Sequence, residues 1–292
     1  MGNDYLIRQK PFRALLVFAL PMILGNLFQQ TYTLMDSAIV GRYVGEQALA
    51  AVGASYALTN IFICIAIGGG IGASVVVSRY FGSKEFPRMK LAVYTACLAF
   101  LGVSILLGGF GLALSRQIME VLQTPADVLD MAVDYLNIYF AGLPFLFLYN
   151  VFSSMFNALG KSRIPLYFLI FSSVFNVVLD MVLVTKANMG VTGVAWATLI
   201  AQGISAVLSF LIFFNRMRRY KSTFSWFDGR ELCSMLQIAV PSVLQQSTVS
   251  IGMMIVQAVV NPFGTQALAG YAATMRVENV FSLMFVSIGN AV

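Results

Sequence analysis

Four oxygen-bearing side chains inside apolar stretches are the residues of this sequence best suited to chemistry. Of the twelve acidic residues, Asp36, Asp180 and Glu278 fall within such stretches, where a carboxylate costs at least about 2.5 kcal/mol even on mild insertion scales. Asn176 precedes Asp180 by four residues, so the two side chains share one helical face, and Thr198 follows in the next apolar stretch. Groups kept at this cost usually face a protein interior and bind something.

These side chains suit a small cation. Carboxylate, amide and hydroxyl oxygens are hard ligands that fit Na⁺ and do not fit soft metals. Two neighbouring carboxyl groups also titrate as a coupled pair, so Asp36 and Asp180 could carry a proton without any histidine. We therefore expect the four residues to form a site for H⁺ or Na⁺. Oxygen ligands of this kind serve either ion, so the sequence does not distinguish between the two. Plainer interpretations stay open: Asp36 could simply end its helix at the membrane surface, and Asp180 could be a structural hydrogen-bonding group.

The elements that must position these residues are membrane-spanning helices. Only 10% of the residues are charged, 59% are apolar and the mean hydropathy is +0.83, whereas soluble domains carry about 25% charged residues. We predict an all-α integral membrane protein with eight runs that reach the roughly 20 residues a crossing needs. The predicted spans are residues 14–38, 48–77, 91–114, 132–156, 165–185, 192–214, 234–260 and 268–292.

The distribution of Lys and Arg predicts the orientation of these spans. Fourteen of the eighteen basic residues occur at the N-terminus and in alternate loops. We therefore predict a multi-pass protein with a cytoplasmic N-terminus. The compact loops and the absence of a targeting segment in this sequence favour the plasma membrane of a prokaryote. Spans 1 and 5 then run outward and span 6 runs inward, which places the four oxygen-bearing residues at one depth near the outer face.

The chain also repeats itself with a period of about 220 residues. Pro21 is echoed by Pro241 in an Ala-x-Pro-x-x-Leu pattern, and the run QALA at 47–50 returns at 266–269. Because six spans separate the copies, both start on the same side of the membrane and the repeats are parallel. We predict a six-helix N-terminal lobe at 1–220 and the first two helices of a second lobe at 221–292. Two complete units would need about 440 residues, so we expect the chain to be C-terminally incomplete.

Pro21 is a candidate hinge because it lies inside span 1, where a proline removes a backbone hydrogen bond and favours a kink. A hinge below Asp36 could couple ion binding to bending of the helix. The other interpretation is a static kink, which is common in membrane helices.

Several other functions are disfavoured. The sequence has no histidine, and its three cysteines lack CxxC spacing, which argues against a zinc site or a disulfide framework. The net charge of +6 follows membrane topology, so we expect no nucleic-acid partner. No nucleophile–base arrangement is visible, and we expect neither enzyme activity nor a cofactor. A scaffold or receptor would leave the buried polar residues and the repeat unexplained.

Five motifs occur in a specific order and spacing. They are P-x14-D-x3-VG at 21–41, SRYFGSKE at 78–85, NALGKSR at 157–163, NVVLD at 176–180 and GVTGVAWAT at 190–198. In this arrangement the chain resembles the multidrug and toxic compound extrusion (MATE) family of antiporters from about Phe12 to Val292. The resemblance implies twelve helices in two six-helix lobes with a substrate cleft between them. It also implies export of amphipathic, often cationic organic compounds in exchange for H⁺ or Na⁺, by a monomer in the lipid bilayer.

The resemblance assigns roles by position. The residues that match the family's cation-coupling network are Asp36, Asn176, Asp180, Thr198 and, at its edge, Tyr135. The residues that match its hinge and plausible substrate contacts are Pro21, Gln29, Tyr32 and Asn150. One branch of the family has a glutamate eight residues after the span 7 proline, where this sequence has Val249, so coupling through the first lobe is favoured.

A flippase for lipid-linked oligosaccharide precursors, from the same broad superfamily, is the alternative function. Such proteins usually need a basic cavity that holds pyrophosphate. Here the basic residues lie almost wholly in loops and the span interiors carry acids, which favours cationic cargo. Since a cleft requires both lobes, we expect this polypeptide to need spans 9 to 12 in order to transport.

Overall fold

A computed structural model describes residues 11–122, 124–218 and 226–260, together with Thr274, Glu278, Ser282 and Gly289. These described residues form helices and short turns, without a strand, as the sequence predicted. The helices are α1 (Pro11–Ile39), α2 (Glu46–Gly82), α3 (Phe86–Val121), α4 (Ala126–Ala158), α5 (Arg163–Thr185), α6 (Gly190–Met217) and α7 (Gly229–Val260), with a π-helical turn at Val40–Val44 after α1. The predicted eighth span, 268–292, lies outside the described residues apart from those four single positions.

Five of the described helices, α2 to α6, are long and apolar enough to cross a membrane. The other two, α1 and α7, were also predicted as spans, and each carries a polar stretch, at 26–33 and 245–248. Polar residues on a spanning helix usually face a bundle interior or a water-filled cavity rather than lipid.

Helix α4 forms the centre of the bundle and packs against α2, α3 and α6. Phe140 and Phe156 on α4 are buried. The Phe140 ring meets Phe62 of α2 edge-to-face with centroids 5.3 Å apart, and the Phe156 ring meets Phe213 of α6 at 5.2 Å. Edge-to-face pairs of this kind fix the helices at defined positions, so the core is built around α4.

Glycines bring α3 close to α4. A Cβ added at Gly108 would lie 2.8 Å from the Phe140 carbonyl oxygen, and one at Gly111 would lie 2.5 Å from the Phe140 ring. Gly109, between them, faces open space. Small residues allow spanning helices to approach at backbone distance, and here they do so on one face of α3 only.

The two ends of the bundle differ in charge. At the basic end α2, α4 and α6 finish and α3, α5 and α7 begin; basic residues there include Lys84, Arg88, Lys161, Arg163 and Arg216. At the acidic end, Arg116 of α3 pairs with Asp130 of α4 at 3.2 Å.

Helices α1 and α7 carry corresponding prolines, as the repeat predicted. Helix α1 continues through Pro21 and α7 through Pro241. The hinge role of Pro21 and the division into lobes at 1–220 and 221–292 stay predictions.

Candidate cation site

Three helix segments near the acidic end position the site. A small apolar cluster joins the end of α1, the end of α5 and the start of α6, and it also includes the π-helical turn and the start of α2. Its buried members are Ile39, Val40, Ala48, Val184, Val191 and Val194. Asp36, Asp180 and Thr198 each lie one helical turn from a member of this cluster. Since α1 packs against α5 and α5 packs against α6, the apolar contacts bring all three polar side chains to one depth.

The centre of the site is a pair of carboxyl groups. Asp180 is fully buried, and its carboxyl group lies close enough to that of Asp36 for the two to interact. In each residue Oδ1 is buried and has no hydrogen-bond partner among the described residues. Two carboxylates cannot hydrogen-bond each other unless a proton is present, and buried polar atoms rarely stay unsatisfied. The geometry therefore fits a bound proton or a small cation between the two groups.

Asn176 joins this pair to α6. In one orientation of its amide, Asn176 donates from Nδ2 to Thr198 Oγ1 at 3.3 Å. In the opposite orientation it donates to Asp180 Oδ2 at 3.1 Å, and its oxygen accepts from the Thr198 backbone N–H at 3.2 Å. Either way Asn176 spans the gap between α5 and α6, so it can present an amide donor or an amide oxygen to the site.

Two tyrosines complete the surroundings of the carboxyl pair. Tyr32 of α1 and Tyr135 of α4 both lie in the neighbourhood of Asp36 and Asp180. Tyr135 was predicted at the edge of a coupling network, whereas Tyr32 was predicted as a substrate contact. Tyr32 precedes Asp36 by one turn on the same helical face, so the structure brings it to the carboxyl pair as well.

A pocket between α4 and α6 extends the site toward the basic end. Its lining residues are Tyr135, Tyr139, Gly142, Leu146, Ala195, Thr198, Leu199 and Gln202. The sequence reasoning missed Tyr139 and Gln202, although each follows a predicted site residue by four positions and so shares its helical face. The Tyr139 hydroxyl also donates to the Thr59 carbonyl oxygen of α2 at 3.2 Å, which ties the pocket to a third helix.

The remaining candidates lie apart from the carboxyl pair. Gln29 is exposed on α1. Asn150 donates from Nδ2 to the Leu146 carbonyl oxygen of its own helix at 2.8 Å, and about 22 Å of helix separates it from Tyr135. Pro21 is buried in α1, also about 22 Å along the helix from Asp36. Their predicted roles in substrate contact and bending stay predictions.

Removal of the Thr198 hydroxyl should weaken cation binding. Thr198→Val keeps the shape of the side chain and removes an oxygen near Asn176, and we expect about tenfold weaker binding, the value of one hydrogen bond to a charged group. Binding of radioactive Na⁺ and proton uptake by the purified protein measure the effect. Thr192→Val is the matched control, because the Thr192 hydroxyl donates to the Met189 carbonyl oxygen near the start of α6; equal losses in the two variants would contradict the assignment.

The sequence matches the family model described as MatE over residues 21–182, more than half of the 292 residues. Two curated relatives from Bacillus subtilis (strain 168) are named probable multidrug resistance proteins, YpnP and YoeA. Each is 29% identical to this chain. The match with YpnP covers 96% of this chain and 63% of YpnP, and the match with YoeA covers 98% of this chain and 64% of YoeA. The multidrug export protein MepA of Staphylococcus haemolyticus (strain JCSC1435) is 25% identical over 96% of this chain and 63% of its own length. The chain thus spans a little less than two thirds of these relatives.

Solved structures share the fold. A MOP superfamily transporter from Pyrococcus furiosus Vc1 (DSM3638), described as having a binding pocket of reverse polarity, superposes with a TM-score of 0.91 at 22% identity; the match covers 100% of this chain and 65% of that one. A MATE structure in the straight conformation gives 0.91 at 22% identity, with 66% of that chain covered. A MATE structure in the bent conformation gives 0.87 at 21% identity, with the same coverage.

Proposed function

This chain belongs to the MATE family of transporters, and from that premise we propose that the protein exports amphipathic, cationic organic compounds in exchange for H⁺ or Na⁺. We also propose that it acts as a monomer in the plasma membrane with its basic end in the cytoplasm. The observation that carries the proposal is the buried Asp36–Asp180 pair, whose two Oδ1 atoms lack hydrogen-bond partners among the described residues.

Electrostatics at this pair supports exchange. When the pair has released its ion, it holds negative charge in a setting of low dielectric constant, which attracts a cationic compound strongly. When H⁺ or Na⁺ binds, that charge is neutralised and the attraction falls. A ligand shifts an equilibrium only by its different affinities for two states, so ion and compound favour opposite states of the site.

The proposed mechanism couples this charge change to α1. Ion binding from the outer side draws Asp36 of α1 and Asp180 of α5 together. Helix α1 then bends at Pro21, the lobe cavity shrinks and the bound compound leaves outward. Gln29 and Asn150 would contact the compound deeper in the cleft.

The named activities of the relatives support the substrate class, since they are described as multidrug resistance or export proteins. A flippase of lipid-linked oligosaccharides is less well supported, because a pyrophosphate cargo needs cationic partners and the site offers the carboxyl groups of Asp36 and Asp180.

Transport by the full-length gene product in proteoliposomes tests the proposal. We expect an imposed gradient of H⁺ or of Na⁺ to drive transport of the cationic dye ethidium in the direction opposite to the flow of the ion. The ionophore that collapses that gradient should stop the transport. Protein-free vesicles and the anionic dye calcein serve as controls. Ethidium flux that persists with both gradients collapsed, or that never exceeds the protein-free level, would contradict the proposal.

A further inference from the structure

The first half of α7 is in close contact with α2 at the basic end. A Cβ added at Gly72 would lie 2.5 Å from the Met235 carbonyl oxygen, and one at Gly68 would lie 2.5 Å from the Val243 side chain. Met235 is 1% exposed and belongs to the same buried core cluster as Ala73 and Val76 of α2. The two backbones meet because α2 has no side chain at either position, as in close helix pairs in membranes.

A partly buried polar contact lies two turns further along α2. The Tyr80 hydroxyl donates to Glu231 Oε1 at 2.8 Å, joining α2 to the first turn of α7. Glu231 is only 9% exposed, although an isolated carboxylate loses hydration when it is buried. The hydrogen bond compensates part of that loss, and it does so only while the two helices stay together.

The described contacts between α7 and α2 lie in the first half of α7. Toward the other end α7 presents large apolar side chains that are exposed in the described part of the molecule: Leu244, Val249, Ile251, Ile255 and Val259. The start of α7 is held separately to α3, where the Asp228 backbone N–H donates to Thr95 Oγ1 at 3.1 Å and Trp226 stacks on Tyr94 with centroids 5.3 Å apart. This second attachment can persist while α7 and α2 separate.

We propose that Tyr80 and Glu231 form a latch that keeps the basic end closed, and that its release lets α7 move away from α2 and opens a route from that end to the cation site. The inference rests on the proposed transport function, because alternating access requires such a route. Both groups become hydrated on separation, so the latch is reversible. Tyr80 and Glu231 are thus positioning residues, distant from the ion and the compound.

Distances between spin labels at the basic end test the latch. The background is the full-length protein with its native cysteines replaced by alanine. Labels attached at Ser83→Cys and Ser234→Cys report the separation of α2 and α7, and both serines are exposed. Tyr80→Phe should raise the ratio of open to closed populations by about tenfold, as expected for one hydrogen bond to a charged group. Glu231→Ala should do the same, and the double variant should not exceed Glu231→Ala.

Rescue and matched controls separate a latch from general damage. Glu231→Gln keeps an acceptor oxygen and should leave the ratio within about threefold of the parent. Tyr56→Phe alters a tyrosine of the same helix that is 62% exposed and should change nothing. Gly72→Ala inserts a Cβ against Met235 and should also favour the open state, independently of the hydrogen bond.

Unchanged distances in Tyr80→Phe, or additive effects in the double variant, would overturn the latch. The measurement needs neither ion gradient nor substrate, so it is independent of transport. If the distances respond as expected while ethidium exchange fails, the latch stands and the proposed function falls.

Discussion

Replacement of Asp180 with asparagine is expected to abolish ion-coupled exchange while the protein stays folded. Asparagine has the shape of a protonated aspartate but cannot ionise, so the Asp36–Asp180 pair loses one of its two titratable carboxyl groups and with it the charge change that the proposed exchange needs. A coupling free energy between two bound ligands is typically about 1–3 kcal/mol, and each 1.4 kcal/mol is about a factor of ten. We therefore expect the initial rate of ethidium exchange in proteoliposomes to fall by about 100-fold, near the upper end of that range.

The matched control is Asp130→Asn. Asp130 is an aspartate at the acidic end whose side chain is 79% exposed and pairs with Arg116. Exposed ion pairs contribute roughly 0–1 kcal/mol, so exchange should stay close to the parent rate. Undiminished exchange in Asp180→Asn, with the same amount of folded protein in the vesicles, would rule out the carboxyl pair as the coupling site.

The largest effect on stability is expected for Gly108→Val. Its Cβ would lie 2.8 Å from the Phe140 carbonyl oxygen, and the two methyl groups would force α3 away from α4, the centre of the core. Overpacking of this kind costs about 1–3 kcal/mol and occasionally more. Since each kcal/mol lowers Tm by about 2–4 °C in a domain of this size, we expect a loss of roughly 10 °C in thermal unfolding in detergent.

Gly109→Val tests whether the loss comes from the helix contact. Gly109 is the next residue of the same helix, and an added Cβ there meets nothing within 4 Å. Both variants make the same change in intrinsic helix preference, so their difference isolates the contact with α4. Equal shifts in Tm would show that the close approach of α3 and α4 does not control stability.

Hydropathy predicted the helical architecture, but it did not locate the helix ends. Helix α3 runs from Phe86 to Val121, beyond the predicted 91–114, because polar turns can project past the hydrocarbon core while the backbone stays helical. The π-helical turn at Val40–Val44 was also missed. It follows directly on α1 and contains Gly41 and Arg42, so hydropathy ends the span there but does not distinguish a π-helical turn from a loop.

The candidate site was predictable where it depends on spacing within one helix. Asn176 and Asp180 share a face of α5 because they are four residues apart. The approach of Asp36 to Asp180 depends on the packing of α1 against α5. The sequence predicted only that the two residues lie at a similar depth in the membrane, and not that their helices are neighbours. The contact of Glu231 with Tyr80 could not be predicted, because it joins residues 151 positions apart and a glutamate near a helix start is usually an exposed charge.

The most direct test of the central claim is to count the ions released when a cationic compound binds. Tetraphenylphosphonium would be added to the purified full-length protein in weakly buffered solution, with a pH-indicator dye and a Na⁺ electrode as detectors. We predict release of about one H⁺ or one Na⁺ per bound cation, as charge neutrality at a buried site requires, and no release from Asp180→Asn. Binding without release, or release that persists in Asp180→Asn, would contradict ion exchange at the Asp36–Asp180 pair.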